Sequence, residues 1–426
     1  MHTAVTQLAT DAIGRWSAAR GEPAWLTAQR TQCWEQFQQL PVPPKTDEAW
    51  KYTDLERLSG WDRTTWATSS NPTAAISTDA ANVAAGIIYT DLATALARHA
   101  DLLTPYLATH NDGAAPRRAF SGLSGHPYQG QRYLSQQEAL WDRGYLLYIP
   151  DGVTAAVPFH TTTCVDTDGS AIFPRTIVIL GENAAAICVD EYAAADGLRT
   201  TVNSCHARSE LYLGAGSRLH YVTVQHWHES MRHLVHQHAT VARDAHFTST
   251  TITLGGQMSK GIIESALTAP GAESLLFGIA FGNGTQHFDH HTLQTHLAPN
   301  THSDLLYKTA LKGHARSIYT GLIRMTPAAQ QSQAYQANRN LLLAPGTQAS
   351  AIPQLEIEAN DVKCSHGATI GPIDEDQCYY LRSRGFTRGE AESMIVGGFF
   401  EDLLVRIPDE HVRDVVRAAI GKQLEG

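Results

Sequence analysis

Between Gly181 and Pro345 the chain is punctuated by short clusters of small, turn-forming residues. They are Gly181-Glu-Asn, Gly214-Ala-Gly-Ser, Ala269-Pro-Gly-Ala, Ala298-Pro-Asn, Lys312-Gly-His, Thr326-Pro-Ala-Ala and Ala344-Pro-Gly. From residue 214 to 326 they recur at roughly 14 or roughly 28 residues, a spacing within the range of solenoid repeats. Between them lie short β-rich runs that begin near Arg143: YLLYI, TIVIL, AAICVD, ELYL, RLHYVTV and FTSTTITL. No helical period of useful length interrupts them. A parallel α/β sheet needs crossover helices, which are absent. Stacked coils remain, in which each strand pairs with the equivalent strand of the next turn. The spacing predicts a mainly β chain with a parallel β-helix over residues 143–370.

Both ends read as helical. Pro23 is placed to open a helix, and Trp25, Leu26, Cys33, Trp34, Phe37 and Leu40 follow at helical spacing until Pro41. A second helical patch begins at Asp91. Residues 68–75 read as a linker and residues 111–130 as a loop, so residues 1–142 form a mainly helical domain. Residues 371–426 form another. There Thr387-Arg-Gly-Glu390 has the capping-box form. Ala391, Met394, Ile395, Phe399 and Leu403 follow as one face, and a last helix starts near Pro408. The two end domains are expected to cap the solenoid.

Composition narrows the function. Lys and Arg total 32 against 42 Asp and Glu, a net charge of −10. With no basic run, general nucleic-acid binding is excluded, because duplex affinity comes largely from phosphate neutralisation. The first residues lack a signal-peptide pattern, and no apolar run approaches the ~20 residues of a membrane span. The six cysteines form no C-x-x-C pair, which points to a reducing, cytoplasmic setting. There is no phosphate loop and no G-x-S-x-G elbow.

Candidate chemistry is concentrated late in the β region. If Val362 to His366 is extended, Cys364 and His366 project from one face. A thiol and an imidazole side by side suit iron, an iron–sulfur unit or zinc, and Lys363 is placed to favour the thiolate. Two ligands do not complete a site, so others would come from elsewhere. The run His287-Phe-Asp-His290-His291, with His296 and His302 beyond, puts His287, Asp289 and His291 on one face. Its spacing is not diagnostic, and an exposed polar ladder accounts for it better than a metal site. The same holds for His226, His228, His233, His236 and His238. Cys205 and His206 point to opposite faces, and Cys164 and Cys188 read as small buried hydrophobes. Glu356 and Glu358 would suit a carbohydrate-active β-helix enzyme, a reading kept as an alternative.

The segment PQLEIEANDVKCSHGATIGPIDEDQCYYLRSRG, from Pro353 to Gly385, resembles the C-terminal signature of the SufD branch of the SufB/SufD family. These are subunits of the SUF iron–sulfur cluster assembly machinery. Lys45-Thr-Asp-Glu-Ala-Trp50-Lys51-Tyr52-Thr53 is similar to the family's E-x-W-K-Y-T segment, and Ile87-Ile-Tyr-Thr-Asp-Leu-Ala-Thr-Ala-Leu to a shared pattern. SufB proteins tend to carry Glu-His-Glu-Ala-Thr where this chain has Cys-Ser-His-Gly-Ala-Thr.

The resemblance implies a right-handed parallel β-helix between helical domains. It implies a non-catalytic scaffold that pairs with SufB through the β-helix and docks the ATPase SufC on its C-terminal helices, where Met394, Ile395 and Phe399 lie. It implies a transient iron–sulfur cluster shared with SufB, with His366 and Cys364 at the contact. Reduced flavin is associated with the family's complex, but no flavin motif is present here. Self-pairing of the isolated chain, and a purely structural subunit without cluster ligands, stay open at this point.

Overall fold

The computed structural model describes residues 10–47, 49–53, 65–66, 84–107, 131–195 and 202–425. The linker read at 68–75 and the loop read at 111–130 lie outside the described residues.

The strands form two sheets, one of eleven strands and one of eight, and from Pro174–Leu180 onward they alternate between them along the chain. Within each sheet the stacked strands are parallel and lie one full turn apart. In the first sheet Met258 pairs with His287, and His287 with Arg316. In the second, Arg218 pairs with His246, and His246 with Glu273. The rhythm read from the turn clusters is therefore the half-turn and the full turn of a parallel β-solenoid. Its strands run from Arg143–Ile149 to Val362–Pro372.

One rim of the solenoid rests on a stack of left-handed residues. Asn183, Gly216, Asp244, Gly271, Asn300 and Gln331 all have positive φ. Backbone N–H groups donate from turn to turn there, Asn183 to Ala215 O at 2.7 Å and Gly216 to Arg243 O at 2.8 Å. Asn, Asp and Gly tolerate this region best. Their alternation has a steric cause. A Cβ on Gly216 would lie 2.3 Å from Asn183 Oδ1, and one on Gly271 would lie 1.9 Å from Asp244 Oδ1.

Inward residues of the two sheets meet in a central core that includes Leu147, Val178, Leu211, Tyr221, Phe247 and Leu276. The helices of the two end domains do not sit chiefly over the ends, contrary to the sequence expectation, although the N-terminal domain closes the first turn with its strand Ile88–Asp91. They cover the outer faces, because those faces carry apolar residues that must also leave water. Helices α1 (Thr10–Ala19), α2 (Ala24–Gln39), α3 (Leu92–Arg98), α4 (Ala100–Leu107) and α5 (Gln131–Leu140) belong to the N-terminal domain. Its Trp34, Trp50 and Trp141 pack in one cluster with Ile177, Leu234 and Ile262 of the first sheet. Pro23 is the N-cap of α2 rather than its first residue. Asp91 caps α3, its side chain accepting from Thr94 N.

The C-terminal domain has three helices, α6 (Glu375–Ser383), α7 (Arg388–Leu404) and α8 (Glu410–Glu425). The capping box at Thr387 and Glu390 is formed. Val396, Phe400, Val416 and Ile420 pack with Val222, Ile252, Phe277 and Ile279 on the outer face of the second sheet. The helix α6 was not read from the sequence. Its Asp374 N-cap accepts from Asp376 N and Gln377 N.

The first turn is closed on one side by Ile88–Asp91, which pairs antiparallel with Arg143–Ile149. At the opposite end the two final strands, Gln348–Ile357 and Val362–Pro372, each have a neighbour on one side only among the described residues. That end is open.

Candidate functional site at the open end of the solenoid

Cys364 and His366 sit on the last strand of the second sheet. In the ladder Cys364 stands over Ala334, and His366 over Gln336. Ala334 and Gln336 are buried inward-facing positions, so Cys364 and His366 continue two inward columns past the last covered turn. The thiol is half-buried and packs against the cluster of Ile323, Met325, Ala329 and Ala334. The imidazole is exposed because no further turn lies above it. Beneath it, Gln336 Nε2 donates to Gly321 O and Gln354 O, each at 3.3 Å, and so ties the two sheets together.

Burial pushes the Cys364 thiol up to about 11. This corrects the expectation that Lys363 favours the thiolate. Successive strand residues face opposite sides, and the apolar packing of Cys364 outweighs a lysine on the other face. Among the described residues no group of three His, Cys, Asp or Glu side chains could hold a metal ion. Cys364 and His366 are therefore two donors at a mouth.

Most of the remaining histidines depart from the exposed ladder expected of them, while His302 is exposed as expected and His226 and His228 are half-buried. His233, His236, His238, His287, His290 and His296 are all buried, because both faces of the first sheet are covered. On the outer face, Asp289 takes Lys260 Nζ at 2.7 Å and His291 Nε2 at 2.9 Å. Lys260 also donates to Ala49 O at 2.7 Å and lies 4.7 Å from the centre of the Trp50 ring. Thr53 donates to Asp289 as well. The segment 49–53 is thus a docking strap for the N-terminal domain. On the inner face, His296 is held by Thr301 Oγ1 at 2.7 Å and Ser303 Oγ at 2.9 Å. Cys205 packs inward while His206 meets His236 at 3.1 Å on the other side. Cys188 is buried, but Cys164 is exposed. Cys164 occupies an outward position on the first strand of the second sheet, which alternates strictly between buried and open residues. Glu356 leans on Arg324 at 3.9 Å.

Met394, Ile395 and Phe399 do come together. With Leu341, Pro372, Asp374, Gln377 and Gly398 they line a groove of about 400 Å³ between α6, α7 and the solenoid. Ile395 and Phe399 lie between the buried Ala391 and Leu403 on one face and pack against the same cluster as Leu403, whereas Met394 turns off that face toward solvent. Met394 is 50% exposed, and Tyr379 and Tyr380 nearby in α6 are 73% and 57% exposed. Phe399 is partly structural, since Lys308 Nζ donates to its carbonyl at 2.7 Å and lies over its ring.

Residues 163–399 match the family described as SUF system FeS cluster assembly, SufBD core domain. The chain belongs to the SufBD family. It is 26% identical to the iron–sulfur cluster assembly protein SufD of Escherichia coli, over 98% of both chains. It is also 26% identical to an iron–sulfur cluster assembly SufBD family protein of Mycobacterium leprae, over 90% of this chain and 91% of that one. Against the SufB of Bacillus subtilis it is 27% identical over 70% of this chain and 64% of the relative. SufBD membership assigns the chain to iron–sulfur cluster assembly and agrees with the solenoid. No helix among the described residues is long and apolar enough to cross a membrane.

Proposed function

We propose that this chain is the SufD-type half of a SufB-paired scaffold, with the nascent cluster built where the open end meets SufB. The observation that carries this reading is the position of Cys364 and His366 at the top of inward columns, on a strand with one free edge. A free strand edge recruits another strand. Exposed apolar residues flank it, Ile357 at 44% and Ile370 at 46%. Two donors from one chain leave a four-coordinate iron incomplete, and a second chain at the same edge supplies the rest. The chain itself acts as scaffold rather than catalyst. ATP hydrolysis belongs to a SufC-type partner, seated on the Met394 groove and the tyrosines of α6.

The pairing is tested by replacing Ile357 and Ile370 together with Lys and measuring co-purification with SufB. The double variant should keep the wild-type circular dichroism spectrum and lose SufB. Unchanged capture of SufB would move the interface away from the open end.

A further inference from the structure

Inside the solenoid, His233 is buried, and neither ring nitrogen makes a hydrogen bond. The rings of Tyr192 and Trp227 pack on it, with centroids at 5.3 and 5.7 Å. It borders a small cavity shared with Thr251, Thr253, Ser259 and His290, with about 10 Å³ open to the centre of a water molecule. His233 and His290 come from the first sheet, and Thr251 and Thr253 from the second. His290 Nε2 and Thr253 Oγ1 already meet across it at 3.1 Å. The Thr251 hydroxyl faces that of Tyr307, its one neighbouring partner among the described residues, and a hydroxyl has capacity for more than one hydrogen bond.

We propose that this cavity is a binding site for a single water molecule that bridges His233 of one sheet to Thr251 of the other. The size fits, since one water needs roughly 10–15 Å³ by this measure. The chemistry fits as well. A neutral imidazole offers one donor and one acceptor, and a hydroxyl offers both. Water answers each, whereas an apolar occupant would leave the imidazole unpaired in a low-dielectric interior. Burial holds His233 and His290 neutral, at about 3 and about 4.

A metal cation is the competing occupant of a site with two imidazoles. No carboxylate among the described residues lines the cavity, so a cation there would be a buried charge without a counter-charge from them. The bridge stands apart from the open-end site and does not depend on its role.

A crystal structure of the full chain at high resolution tests the site. The expected result is a single peak about 2.7–3.2 Å from a His233 ring nitrogen and Thr251 Oγ1. No density there, or an anomalous peak at the ~2.0–2.1 Å of a metal–nitrogen bond, would overturn the proposal. Solution counts of long-lived internal water by oxygen-17 relaxation give a second reading. His233→Phe should lose one such water relative to wild type, and Thr251→Val provides the same test if the first variant does not fold. An unchanged count in a folded variant would equally overturn it.

Discussion

Lys260 Nζ lies 2.7 Å from Asp289 Oδ2 with neither side chain touching solvent, and both reach residues of the 49–53 strap. The lysine holds the Asp289 carboxyl well below the usual carboxylate range, against the opposing effect of burial. Breaking such a pair leaves a buried charge uncompensated, at about 3–5 kcal/mol. Lys260→Ala should lower the unfolding free energy by that order in denaturant titration. The double variant Lys260→Met with Asp289→Leu should recover much of the loss. Equal losses in the single and double variants would show that the pair does not hold the strap.

Acid should destabilise the fold through its imidazoles. Burial pulls His233, His236 and His296 down to about 3, and His220 and His290 to about 4. An unfolded imidazole titrates near ~6.5. Below that pH the unfolded chain binds protons that the folded chain refuses. Stability is thus fully present above about pH 6.5 and falls as pH drops toward the folded values, by up to ~1.4 kcal/mol per pH unit for each group. Equilibrium unfolding between pH 7 and 5 should show uptake of several protons. A flat profile would contradict these burials.

Asp190 should act in the opposite sense. Its carboxyl accepts from Tyr145 OH at 2.7 Å, from Thr176 Oγ1 at 3.1 Å and from Tyr221, yet burial raises it to about 6. Between its unfolded value near ~3.9 and that folded value, the folded chain holds the extra proton, so this contribution is lost as pH rises. Relative to Asp190→Asn, wild type should lose on the order of 3 kcal/mol between pH 4 and 7. A difference independent of pH would remove Asp190 from the account.

Much of this was legible in the sequence because it is local. The turn clusters, the capping box at Thr387 and the same-face pair Cys364 and His366 all follow from spacings of a few residues or a regular repeat. What was missed depends on partners far along the chain. Glu138 carries no signal in the sequence, and only the fold brings Arg175 and Arg208 to it at 2.9 and 2.6 Å in the buried interior. The histidines read as solvent-facing because nothing local reveals that His233, His290 and His296 turn into the solenoid, or that Trp50 and its neighbours lie over the outer face of the first sheet. The thiol of Cys364 reads as activated by Lys363, yet its packing decides otherwise.

The C-terminal groove predicts a separable loss. Removing α7 and α8 would strip the second sheet of its cover, so point changes are the cleaner probe. Met394→Asp with Tyr379→Ala should weaken SufC capture at least tenfold in a pull-down while leaving SufB pairing and thermal stability near wild type. Undiminished capture would leave the groove without that partner.

The central claim is that the open mouth carries cluster ligands. Its most direct test is iron and acid-labile sulfide per complex in His366→Ala, with complex yield read by size exclusion. His366 is exposed, so its loss should leave assembly near wild type while iron and sulfide fall several-fold. Wild-type iron and sulfide in a normally assembled His366→Ala complex would contradict the account.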